Sequence, residues 1–125
     1  MFSENRTAAI LAKAVADDAT ALDAATTLRA STLGGARALG FGDRIGSIEV
    51  GKQADLVCVD LSALETQPLH TVLAQLVYAT GRQQVSDVWI AGKPKLVQRE
   101  LVGMDLPGII ANARQGRERI RHIRA

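Results

Sequence analysis

Side chains able to do switchable chemistry are few and scattered: His70 and His122 are the only histidines and Cys58 the only cysteine in 125 residues. Hydrolytic zinc takes three protein ligands, commonly histidines with a carboxylate, and leaves a fourth position for water. No His-x-His or His-Glu-x-x-His run is present. His70 therefore reads as an exposed or helix-capping side chain, and His122 as a cation favoured near a helix C-terminus. Cys58 sits between Val57 and Val59 with no basic neighbour and no helix start to lower its pKa, and it reads as a core thiol.

The carboxylates tell a similar story. Asp17-Asp18 marks a helix terminus, while Asp55 and Asp60 flank the apolar run LVCV and Asp87 opens the comparable run DVWI. Turn anchoring and strand punctuation are the expected roles, since a glycosidase-like pair needs a defined separation across a bond. GGARALGFG lacks the preceding strand of a dinucleotide fingerprint, and GKQAD lacks the phosphate-loop spacing. Ser31, Ser47 and Ser86 stand outside any Gly-x-Ser-x-Gly elbow and read as capping or loop hydroxyls. No residue is assigned a catalytic, cofactor-binding or metal-binding role.

The elements that would have to position such groups alternate in period. Ala8, Leu11, Ala14 and Val15, widened by Ile10, give a helical stripe with Ser3 as N-cap. A second helix starts at Asp23 and runs through the glycine pair Gly34-Gly35 to a left-handed stop at Gly40 or Gly42. Gly46 to Asp60 then reads as a punctuated strand pair: Ile45, Ser47 and Ile48 extended, a turn at Glu49 to Lys52, and a buried strand from Ala54 to Leu61. Pro68 is expected in the first turn of a short helix whose apolar face is Leu69, Leu73, Leu76 and Val77. Val85 to Ile90 and Lys95 to Glu100 form a hairpin around Ala91-Gly92-Lys93, with Pro94 at an edge or strand start, and a last helix follows Pro107. Helices that precede any strand able to receive them suit a composite or truncated domain better than a self-contained one.

Composition excludes several classes. With 47% hydrophobic and 22% charged residues the chain is globular, and with four aromatic residues, Phe2, Phe41, Tyr78 and Trp89, its core must be mainly aliphatic. A net charge of +2 does not call for a polyanionic partner, and Arg114, Arg117, Arg119, Arg121 and Arg124 read as a solvated helix end, not a nucleic-acid surface. No run approaches the ~20 apolar residues of a membrane span, and a lone cysteine makes a reducing cytoplasm the default compartment.

The ordered blocks TLRASTLGGARALGFGDRIGSIEVGKQADLVCVDL and LETQPLHTVLAQLVYATGRQQVSDVWIAGKPKLVQREL resemble the C-terminal region of metal-dependent amidohydrolases, especially the cytosine-deaminase-like, triazine-hydrolase and adenosine-type deaminase branch. MFSENRTAAILAKAV extends the likeness toward Met1. The resemblance implies an α/β chain that is a truncated C-terminal part of a TIM-barrel enzyme, with late barrel helices, a partial composite β domain and flanking helices. It divides the chain into a barrel-helix segment at 1–42, a small-domain contribution with an inserted helix at 43–104, and a C-terminal helix at 105–125. Zinc or another divalent metal is implied for the full-length parent and none for this chain, because the family's ligand motifs match no position here. The implied function is scaffold for a parent enzyme cleaving carbon–nitrogen bonds of small purine-like or triazine substrates. The expected partner is the missing barrel portion or a second copy, with neither nucleic acid nor membrane; the alternative is a stand-alone, non-catalytic, self-associating module.

Overall fold

The computed structural model describes residues 1–123, with side chains described as far as Arg121. Helix α1 spans Phe2–Ala16 and ends on Asp17, whose φ of 49° is left-handed and whose amide returns to the Lys13 carbonyl. Lys13 then reaches forward, its Nζ donating to the Leu22 carbonyl at 3.1 Å, and so closes the loop after the helix. The helix starts one residue before the expected Ser3 cap, with Met1 at the N-cap position and its ammonium paired to Glu4. Its inward residues are Asn5 and Ala9, whereas Ile10, Leu11 and Val15 of the expected stripe face outward.

Asp23 caps α2 (Ala24–Arg29), its carboxylate accepting the Thr26 amide at 2.7 Å. The helix continues through a wider π turn at Ala30–Gly34 into α3 (Gly35–Ala38). A Cβ on Gly34 would stand 3.2 Å from the Arg29 carbonyl oxygen, so the missing side chain lets the turn widen. Gly40, with φ 76°, stops the helix as expected.

The segment after it departs from the expected strand pair. Ile45 to Ser47 is a bend and Ile48 is irregular, because Gly46 folds back against the helix instead of pairing with a strand. Lys52 holds that loop from inside, donating to the Gly42 carbonyl at 2.7 Å and the Ser47 hydroxyl at 2.6 Å.

Four antiparallel strands form one open sheet in the order β1-β2-β3-β4: Leu56–Val59, Val85–Ile90, Lys93–Val97 and Glu100–Leu101. Leu56 faces Trp89 and Val57 faces Val88, while Val88 also pairs with Leu96 across β2 and β3. Pro94 is the second residue of β3, at a strand start as expected, and lies opposite Trp89 beside a register shift between Val88 and Trp89. Val57 and Cys58 are exposed, so the expected buried strand is instead a terminal strand with uncovered side chains.

Between β1 and β2 the chain makes a short helix α4 (Val72–Ala74) that widens into a π turn at Gln75–Ala79. Pro68 precedes α4 by several residues and follows a cis peptide bond, so it is not in the first helical turn. Val77 is fully buried, Leu76 is half-buried, and Leu69 and Leu73 stay exposed. Helix α5 (Leu106–Ile123) closes the chain, with Asp105 capping it through the Gly108 amide at 3.0 Å. Among the described residues the buried apolar ones are Ala9, Ala36 and Val77, joined by the buried polar side chains of Asn5, Thr27, Thr66, Thr80 and Gln84. The fold is therefore α/β with a thin core beside an open sheet. Among the described residues no helix is long and apolar enough to cross a membrane.

Candidate functional site

Each side chain singled out for chemistry is placed by a separate element. Cys58 lies exposed on β1, which corrects the expectation of a core thiol: its strand ends the sheet, and no described residue covers this position. A shallow apolar cleft of about 470 Å³ opens here, lined by Ile48, Leu56, Cys58 and Trp89. His70 is exposed in the approach to α4, beside Pro68, Gln75 and Tyr78, and away from the cysteine cleft. His122 belongs to α5, but its imidazole and Arg124 lie outside the described residues.

The carboxylates of the sheet bind backbone. Asp55 Oδ1 accepts the Ala91 amide at 2.7 Å and Asp87 Oδ1 accepts the Gln98 amide at 3.0 Å, so each fixes the turn beyond the neighbouring strand. Ala91 and Gln98 carry positive φ values of 49° and 48°, conformations that such an acceptor helps to hold. Asp60 accepts from the Ser62 hydroxyl and amide and from Arg99 Nη2. These donors, Ser62 foremost, lower its pKa from 3.8 to about 2. Asp17 sits in the left-handed cap of α1, and Asp18 accepts the Thr20 amide and hydroxyl, which hold its carboxyl below the ordinary value.

Hydroxyls and amides follow the same pattern. Ser31 donates to the Leu28 carbonyl, and Ser47 stands between Glu49 and Lys52. Gln84 is buried, its Nε2 donating to Glu65 at 2.8 Å while its Oε1 accepts the Gly81 amide at 2.9 Å. Arg99 and Gln84 are joints that sequence reasoning misses, because their partners lie 39 and 19 residues away and carry no local signal. Arg6 is another: Nη2 donates to the Thr80 carbonyl at 3.0 Å, while its buried Nε has no partner among the described residues.

Among the described residues no three of His, Cys, Asp and Glu converge as a metal centre would require. A zinc ion of the kind the family resemblance implies for the full-length parent does not fit the described side chains of this chain. What the arrangement can do is hold shape: cap helices, pin turns and present a large apolar surface.

Comparison with known proteins gives that shape a context. The Amidohydrolase family profile matches residues 1–95. The 5-methylthioadenosine/S-adenosylhomocysteine deaminase of Teredinibacter turnerae is 42% identical over 120 residues, 96% of this chain and 27% of that protein. The deaminase of the same description from Desulforudis audaxviator is 38% identical, over 96% of this chain and 28% of its own length. A crystal structure of an adenosine deaminase from Xanthomonas campestris with bound zinc is 85% identical and superposes with a TM-score of 0.95, covering 98% of this chain and 28% of that one. Atrazine chlorohydrolase from Arthrobacter aurescens TC1, complexed with zinc, is 27% identical with a TM-score of 0.81, over 90% of this chain and 25% of its own. The chain thus spans little more than a quarter of the length of the relatives it matches. With the family profile covering most of its residues, the chain belongs to the amidohydrolase family.

Proposed function

We propose that this chain is the C-terminal scaffold portion of a metal-dependent aminohydrolase, supplying late barrel helices at 1–42, part of the small β domain at 43–104 and a terminal helix at 105–125, and none of the metal ligands. One observation carries this reading: a sequence 85% identical to part of a zinc-bound adenosine deaminase, with a TM-score of 0.95, accounts for only 28% of that chain. Its described residues bring no ligand set together. The curated relatives at 42% and 38% identity are 5-methylthioadenosine/S-adenosylhomocysteine deaminases, whereas the triazine enzyme stands at 27%. A 6-aminopurine nucleoside is therefore the favoured substrate of the parent, with water replacing the amino group and ammonia leaving.

The scaffold's work is to brace the remainder of the enzyme. Ile10, Leu11 and Val15 on α1, together with Ile48 and Val57 beside the sheet, are exposed apolar side chains of the kind that a neighbouring domain covers. The remainder of the polypeptide is the partner we assign to them, in preference to a second copy, and the cytoplasm is the compartment we assign to the parent. A chimera tests the reading: these 125 residues replace the matching segment of the Xanthomonas campestris adenosine deaminase. Zinc-dependent adenosine deamination by the chimera supports the scaffold assignment; a folded chimera that holds zinc but shows no turnover contradicts it.

A further inference from the structure

We infer that α5 docks through a mixed apolar and arginine face onto the remainder of the parent polypeptide, and that this contact holds the helix in place. The inference rests on the reading of the chain as part of a longer amidohydrolase. At 100° per residue Leu106, Ile109, Ile110, Ala113 and Ile120 fall within one arc of about 100°, the width of a core-facing stripe. Arg117 lies inside that arc, and Arg114 and Arg121 run along one border. The face is uncovered within this chain: Ile109 is 51% and Ile120 58% exposed, and α5 packs extensively against no other described element.

Such a helix has little to sustain it alone. Gly116 weakens its interior, and most of a helix's stability in a protein comes from packing an amphipathic face. Yet the superposition on the Xanthomonas campestris enzyme reaches a TM-score of 0.95 over 98% of this chain, which leaves no room for an unmatched 18-residue helix. The helix therefore keeps its position in a protein where the contacts available within this segment do not fix it. Nearly three quarters of that longer chain lie outside the matched segment and are available to cover the stripe. The arginine seam sets the chemistry of the partner face: apolar at its centre, with carboxylates along one side. Only Glu118 on α5 offers a local carboxylate, and its contact with Arg121 at 3.5 Å is exposed.

Cysteine protection in the chimera tests the contact. Ala113→Cys reports the stripe and Gln115→Cys the opposite face, each read as the maleimide labelling rate of its α5 peptide by mass spectrometry. In the isolated 125-residue chain the two positions label at similar rates. In the zinc-loaded, active chimera, Ala113→Cys labels at least about tenfold more slowly than Gln115→Cys, unchanged over a hundredfold range of protein concentration. Equal rates in an active chimera overturn the docking while leaving the scaffold assignment intact. Protection that grows with protein concentration also overturns it and assigns the face to a second copy. Protection that appears only with anionic vesicles overturns it in favour of a membrane surface. A folded, zinc-loaded chimera without activity strikes at the scaffold reading on which the inference rests.

Discussion

Asp60 Oδ2 receives Arg99 Nη2 at 3.0 Å across 39 residues of chain, tying the end of β1 to the turn between β3 and β4. Arg99 strengthens the joint by donating Nε to the Gln83 carbonyl and its amide to the Ser86 carbonyl. The ion pair is partly exposed, so its strength depends on salt as well as pH.

The pH dependence has a definite sign. Asp60 has a folded pKa of about 2 against an ordinary 3.8, owing first to Ser62 and then to Arg99. The unfolded state therefore binds the proton more readily, and the contribution is complete above the ordinary value and lost as pH falls through about 2. Asp60→Asn should lower the urea midpoint near neutrality, and the gap from wild type should close as the pH is taken from about 5 toward about 2. A gap that stays constant over that range would show that the Asp60 charge is not coupled to folding.

Gly46 separates a backbone requirement from a packing one. Its φ is +92°, and an added Cβ would lie 2.7 Å from the Ala36 Cβ, 2.9 Å from the Leu33 Cα and 3.0 Å from the Thr32 carbonyl oxygen. Gly51 has the same φ of +92° with nothing within 4 Å. Gly51→Ala should cost about 1–2 kcal/mol for the left-handed conformation, and Gly46→Ala a further 1–3 kcal/mol or so for overpacking. Denaturant midpoints at constant m-value measure the difference; equal costs would mean that the loop does not press on the helix.

Much of the local punctuation is legible in the sequence. Asp23 caps its helix, Gly40 stops it, and Val85 to Ile90 is a strand over the expected residues, because caps, stops and strand periods are set by near neighbours. Burial is less legible. LVCV has the composition of an inner strand, yet whether its faces are covered depends on what lies beyond its neighbours; here β1 ends the sheet and Cys58 is exposed. Ile45 to Ile48 has strand-like residues but no strand to pair with, and Gly46 turns the segment onto the helix. The clasp between Asp60 and Arg99 is invisible because no spacing rule links residues so far apart. The likeness to amidohydrolases is legible because it is carried by the order of many short motifs and not by any one reactive residue.

Val77 should dominate the thin core. It is fully buried, whereas Val50 is entirely exposed at a loop tip. Val77→Ala should cost about 1.5–3 kcal/mol of stability, while Val50→Ala should stay within about 0.5 kcal/mol of wild type. Thermal and urea unfolding of the two variants in parallel checks this; similar costs would place the core elsewhere.

Cys58 should react as a surface thiol. A disulfide reagent added to the native 125-residue chain should modify it stoichiometrically at a rate close to that of the urea-unfolded chain, since the residue is exposed on a terminal strand. Protection by about a hundredfold or more would restore the core-thiol reading of the sequence.

As proposed, this segment braces a deaminase without carrying its chemistry. The most direct test is the zinc content and adenosine deamination of the purified 125-residue chain, measured beside the chimera that restores the rest of the barrel. The chain alone should hold no stoichiometric zinc and show no turnover, with both present in the chimera. Metal-dependent deamination by the 125-residue chain itself would contradict it.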